Sequence, residues 1–133
     1  MIHARHVSRG RDATVFGWDS EYIDIIDDVE IQDDEHLVTK TTSSCFPDMR
    51  LSDILQRNGI ETMVCTGLLS FSCVDTTARD AAARGYETKY VEDATAAFPL
   101  DGYDPEEITE TVATIQDLVF SDVVGTDGIV NQF

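Results

Sequence analysis

The sequence predicts an α/β fold, a parallel sheet covered on both faces by helices in three layers, formed by one domain over residues 1–133. Short apolar runs of strand length alternate with helical segments, the order that crossover connections between parallel strands require. The 133 residues, 42% of them apolar, are enough for a single core. No run of 18 apolar residues exists that could span a membrane, and no membrane partner is expected.

The elements follow in order. Residues 19–28, DSEYIDIIDD, place Tyr22, Ile25 and Ile26 on one face and predict a short amphipathic helix. Leu37, Val38 and Thr39 predict a strand ending at Lys40. Leu51, Ile54 and Leu55 fall at i, i+3 and i+4, a helix closed by Asn58 and Gly59. Residues 61–67 predict the next strand. Residues 72–84 are alanine-rich and helical, and Gly85 supplies the left-handed stop. Residues 88–91 predict a third strand, closed by Glu92, Asp93 and Ala94. Asp104 then caps a helix that has Pro105 at its first position and Glu106 and Glu107 in its first turn, running to about Phe120. Val123 and Val124 form a last short strand.

Charge bounds the partners. Twenty-six acidic residues face nine basic ones, a net charge of -17, and Lys40 and Lys89 are the only lysines. A chain this acidic cannot neutralise phosphates, so nucleic acid is not an expected partner. An acidic, lysine-poor composition resembles that of halophilic proteins, in which molar salt shortens the Debye length to about 3 Å and screens the self-repulsion. The opening MIHARHVSRGRD has no apolar stretch typical of a secretory leader, so a cytoplasmic location is expected. Three cysteines without CxxC spacing make no disulfide framework. Cys65, inside an apolar run, reads as a small buried hydrophobe. His3, His6 and His36 have no metal-site spacing, and neither metal nor cofactor is expected.

In a parallel sheet, ligands bind beyond the carboxyl ends of the strands. Lys40 stands at one such end and the 67–73 turn at another. A helix N-terminus and a nearby ammonium both favour a thiolate, the reactive form of cysteine, so Cys73 and Lys40 are candidates for one site.

The stretch TGLLSFSCVDTTARDA, residues 66–81, resembles the Thr-Gly…Cys-Val…Thr-Ala-Arg-Asp-Ala signature of isochorismatase-like cysteine hydrolases. Gly85-Tyr86 and VEDATAA, residues 91–97, continue it. Upstream, KTTSSCF at 40–46 with Leu51 and Leu55 is similar to the family's Lys-xxx-Ser-Ala-Phe…Leu…Leu segment. The match covers about 36–130. The resemblance implies a Rossmann-like sheet and an Asp–Lys–Cys triad, with Cys73 as nucleophile and Lys40 as its electrostatic partner. It implies a non-proline cis peptide between Leu68 and Leu69 that aims the Leu69 N–H, with that of Cys73, at a substrate oxygen. It places Phe46 and Phe71 on the substrate pocket. A small amide, urea or carbamoyl compound is the expected substrate, and a homo-oligomer the expected assembly.

Two departures carry weight. Phe71 stands where many relatives have a polar residue, and Met49 replaces a common threonine, which points to an unusual pocket. The family's triad aspartate ends its first strand, yet the 39 residues before Lys40 contain no apolar strand leading into an aspartate. Asp12, Asp19 and Asp24 match no motif. The first one or two strands of the family are therefore expected to be lacking, with a gap between the Lys40 strand and the Gly67 strand. Three readings then stand: a cysteine hydrolase, a non-catalytic remnant or interaction subunit without the triad aspartate, and, least favoured, a redox-sensing thiol at Cys73 without hydrolytic function.

Overall fold

The computed structural model describes residues 1–10 and 16–132. Five parallel strands alternate with helices: β1 (Ile2–His6), β2 (His36–Lys40), α1 (Arg50–Arg57), β3 (Thr62–Leu68), α2 (Asp75–Ala83), β4 (Glu87–Ala96), α3 (Pro105–Val119), β5 (Asp122–Val124) and α4 (Thr126–Val130). A 3-10 turn at Glu21–Ile23 and a π turn at Ser70–Val74 complete the described elements.

The strands form two ladders, β1-β2 and β3-β4-β5, with no ladder between them among the described residues. The expected break between the Lys40 strand and the Gly67 strand is thus present, but the region ahead of Lys40 is not strandless. β1 lies parallel to β2, with Ile2 opposite His36 and His6 opposite Lys40. It escapes an apolar pattern because its side chains have polar partners: Arg5 Nε donates to the cross-strand Thr39 Oγ1 at 2.9 Å, and His3 Nε2 meets Glu35 Oε2, just ahead of β2, at 2.8 Å.

Three further expectations are corrected. The helix over residues 19–28 is only the 3-10 turn; Ile23 is buried, while Tyr22 and Ile26 are exposed. β4 does not close at residues 92–94. After a register shift in β3 between Cys65 and Gly67, Thr95 and Ala96 pair with Gly67 and Leu68 and extend the strand. The helix over 72–84 begins earlier, as the π turn from Ser70 that runs into α2. The Asp104 cap is as expected, its side chain accepting from Glu106 N–H at 2.9 Å.

α2 joins two cores. Ala81 packs with Cys45, Phe46, Leu51 and Leu55, while Ala78 packs with Cys65, Val74, Tyr90 and Ala113. Alanines at both positions let neighbours approach the helix closely on two sides. The segment that carries Cys73 is therefore held by both clusters.

Candidate active site

Lys40 is buried at the end of β2, with 5% of its surface exposed. A lysine ammonium has three protons and no acceptor. Among the described residues it has three hydrogen-bond partners: the Thr42 carbonyl at 2.9 Å, Cys73 Sγ at 3.1 Å and His6 Nδ1 at 3.3 Å. No carboxylate among the described residues is paired with it. The geometry sets the Lys40 Nζ against the Cys73 sulfur at the carboxyl end of β2.

Two straps hold the pair in place. The loop after Lys40 is tied to α2 by Ser44 Oγ, which donates to Asp80 Oδ2 at 2.6 Å, and by Cys45 N–H, which donates to Thr77 Oγ1 at 3.2 Å. The π turn carrying Cys73 is tied through Ser70, which is fully buried. Tyr90 Oη donates to the Ser70 carbonyl at 3.3 Å, and Ser70 Oγ lies 3.3 Å from Thr109 Oγ1 on α3. Behind it, Gln116 Nε2 donates to Asp75 Oδ1 at 2.8 Å, and Arg79 Nε reaches both Asp75 oxygens at 3.0 and 2.9 Å.

The peptide between Leu68 and Leu69 is cis. Leu69 stands at the N-cap of the π turn in extended conformation, and its carbonyl accepts from the N–H groups of Ser72 and Val74. Cys73 lies in the first helical turn, half-buried. The other thiols differ. Burial raises the Cys45 thiol above its usual range and pushes Cys65 up to about 12.

The two phenylalanines separate. Phe46, 1% exposed, packs in the core, stacked on Tyr86 with ring centroids 6.1 Å apart and with the Arg84 guanidinium over its ring, 4.5 Å from the centroid. Phe71 is half-buried and meets Phe98 edge-on at 5.4 Å, two residues from Cys73. Phe98 follows β4 in a segment that carries no motif, so the sequence offered no signal for it. The contact of His6 with Lys40 has no sequence signal either, because it depends on a β1 register that the polar composition conceals. A cavity of about 70 Å³ opens beside Lys40, lined by Arg9, Thr41, Thr42, Ser44 and Asp48 among others. Asp19 and Asp24 are exposed, and Asp12 lies outside the described residues. No cluster of metal-ligating side chains occurs among the described residues, and no described helix is long and apolar enough to cross a membrane.

Comparison with known proteins places these features in context. The family model described as Isochorismatase domain matches residues 1–119, so the match includes β1 and begins well ahead of residue 36. The uncharacterized isochorismatase family protein YrdC of Bacillus subtilis is 34% identical over all of this chain and 73% of its own length. The ureidoacrylate amidohydrolase RutB of Variovorax paradoxus is 32% identical over 90% of this chain, which spans 49% of that protein. The crystal structure of an isochorismatase-like hydrolase from Alkaliphilus metalliredigens superposes with a TM-score of 0.86 at 28% identity, covering 98% of this chain and 71% of that one.

Proposed function

Because this chain belongs to the isochorismatase family of hydrolases, we propose that it is a cysteine hydrolase that cleaves a C–N bond of a small amide, urea or carbamoyl compound. The observation that carries the reading is the buried Lys40 ammonium 3.1 Å from Cys73 Sγ. In this reading the Cys73 thiolate attacks the carbonyl carbon. The C–N bond breaks, the amine takes a proton from a water molecule as it leaves, and the resulting hydroxide attacks the thioester, releasing the acid and returning the Cys73 thiolate. The N–H groups of Leu69 and Cys73 would receive the developing oxyanion, where one lost donor typically costs about 2.7–4 kcal/mol. Phe71 and Phe98 offer an apolar ledge for the rest of the substrate. The kinship with an amidohydrolase supports the choice of bond.

The experiment is ammonia release from a panel of small amides, ureas and carbamoyl compounds, with mass spectrometry for an acyl group on Cys73. Turnover and acylation that disappear in Cys73→Ala support the proposal. A folded chain that forms no Cys73 adduct with any of them overturns it.

One observation favours a second reading, a non-catalytic binding subunit. Neither Lys40 nor Cys73 is bonded to a carboxylate among the described residues. A positioned acid/base group supplies about 10²–10⁴-fold in rate. Stoichiometric binding of a panel compound without turnover would support this alternative.

A further inference from the structure

The third partner of the Lys40 ammonium is an imidazole, and this has a consequence for its protonation. Lys40 can only donate, so the ring nitrogen that faces it must present a lone pair. Where Lys40 donates to it, Nδ1 of His6 carries a lone pair, the ring is neutral and its proton sits on Nε2. Strand register makes the contact: His6 and Lys40 are opposite one another in the β1-β2 ladder, the Val7 N–H donates to the Lys40 carbonyl at 2.8 Å, and the edge of the Phe16 ring packs against the imidazole at 5.9 Å. With Thr42 O and Cys73 Sγ taking the other two protons, His6 completes a three-point hold on the ammonium.

Resting on the hydrolase reading above, we propose that His6 is a positioning residue for the reaction: its neutral Nδ1 fixes the Lys40 ammonium against the Cys73 sulfur, and protonation of His6 undoes that hold. A proton on Nδ1 removes the acceptor and sets a second cation 3.3 Å from the first. Among the described residues, the charged group that acts on His6 is Lys40, with the Cys73 thiol one hydrogen bond further on. The Phe16 ring is neutral, and the Thr42 backbone favours the protonated form. Burial, then the Lys40 charge, hold His6 below its ordinary value of 6.5 against that opposing bond. The site is thus kept in its competent form at neutral pH and is released as the medium becomes more acidic.

The test is the rate of iodoacetamide alkylation at Cys73, read by mass spectrometry between about pH 5 and 8, where an imidazole titrates. His6→Leu, which keeps bulk but has no acceptor, should slow alkylation at neutral pH by roughly tenfold, the scale of one lost bond to a charged group. His6→Asn, whose amide oxygen can take the place of Nδ1 without titrating, should recover most of that loss and extend reactivity to lower pH. His6→Leu as fast as the parent, His6→Asn as slow as His6→Leu, or an unchanged acid limb in His6→Asn each overturn the proposal. If neither variant folds, ¹⁵N shifts of the parent decide: a bare Nδ1 at neutral pH is expected, and an Nδ1–H tautomer overturns it. Preferential labelling of Cys73 that is blind to His6 sinks this inference and leaves the hydrolase reading standing. No preferential labelling of Cys73 sinks both.

Discussion

Ser44 Oγ and Asp80 Oδ2 lie 2.6 Å apart, so that a short charge-assisted hydrogen bond joins the loop leaving Lys40 to the helix that follows Cys73. The same Ser44 Oγ accepts from Phe46 N–H at 3.1 Å, which turns the chain back into the core. One hydroxyl therefore sets both the position of the loop and its distance from the nucleophile's helix. Removing it in Ser44→Ala should lower stability by about 1.5–3 kcal/mol, the range for hydrogen bonds to charged groups. Urea unfolding measures that loss. Alkylation of Cys73 in the same variant should also slow, since Lys40 and Cys73 would be joined by one strap fewer. A variant as stable and as reactive as the parent would show that the bond does not position the site.

The three thiols should separate by reactivity. Burial raises Cys45 and holds Cys65 at about 12, so both remain protonated at neutral pH. Cys73 is half-buried and receives a hydrogen bond from an ammonium. Peptide mapping after a short iodoacetamide pulse near neutral pH should find Cys73 labelled first. Lys40→Met should remove most of that preference. Labelling of all three at similar rates in the folded chain would contradict the assignment of Cys73 as nucleophile.

How much of this was legible in the sequence varies with how local each cause is. The Cys73 turn, the cis peptide at Leu68-Leu69, the Asp104 cap and the glycine stop after α2 each depend on a few adjacent residues, and each was readable from the residues or the family resemblance they carry. β1 was not, because its strand identity is set by partners more than 30 residues away, Thr39 and Glu35, which satisfy its arginine and histidine. The contact between His6 and Lys40 was invisible for the same reason. The extension of β4 to Ala96 depends on a register shift in β3, which no local pattern announces. Phe46 shows the limit of a motif: the motif position marks the residue, while its packing against Leu51, Leu55 and Ala81 is set by the tertiary fold.

Gln116 offers a test of the support behind the nucleophile. It is fully buried, donates to Asp75 Oδ1 and accepts from Ser121 Oγ at 2.8 Å. Gln116→Leu keeps the volume but takes a donor from Asp75 and an acceptor from Ser121. Leaving buried polar atoms unsatisfied costs about 1–3 kcal/mol each. Thermal unfolding of Gln116→Leu should therefore show a clear fall in Tm. An unchanged Tm would mean that water or a shifted side chain replaces both bonds.

Acid sensitivity should have an identifiable source in Glu35. Its carboxyl is held down from 4.5 to about 2, first by the Gln32 N–H at 3.0 Å and then by His3 at 2.8 Å. A carboxyl with a depressed folded-state value contributes stability above its unfolded value and loses it as pH falls through the folded one. The contribution is present at neutral pH and disappears between about 4.5 and 2. Glu35→Gln should flatten the fall in stability across that window, measured by urea unfolding at stepped pH. A slope identical to the parent's would show that Glu35 is not a source of the acid loss.

Salt should stabilise this chain, and the charge pattern says by which route. With a net charge of -17, most carboxylates have no cation to pair with. Lys89 illustrates the shortage: it stands between Glu87 at 3.9 Å and Asp122 at 3.8 Å, shared by two acids. Exposed pairs at these distances contribute about 0–1 kcal/mol, too little to offset long-range repulsion among 26 acidic residues. Raising ionic strength shortens the Debye length from about 10 Å at 0.1 M to about 3 Å at 1 M. Repulsion between neighbouring carboxylates is then screened, while the buried Lys40–Cys73 pair is screened far less. Tm should rise steadily from low to molar potassium chloride, with most of the gain at the lower concentrations if simple screening is the cause. A gain that continues in proportion to salt into the molar range, and that sulfate exceeds at equal ionic strength, would point instead to salt acting on apolar burial. A Tm that stays flat or falls would reject adaptation of this surface to salt.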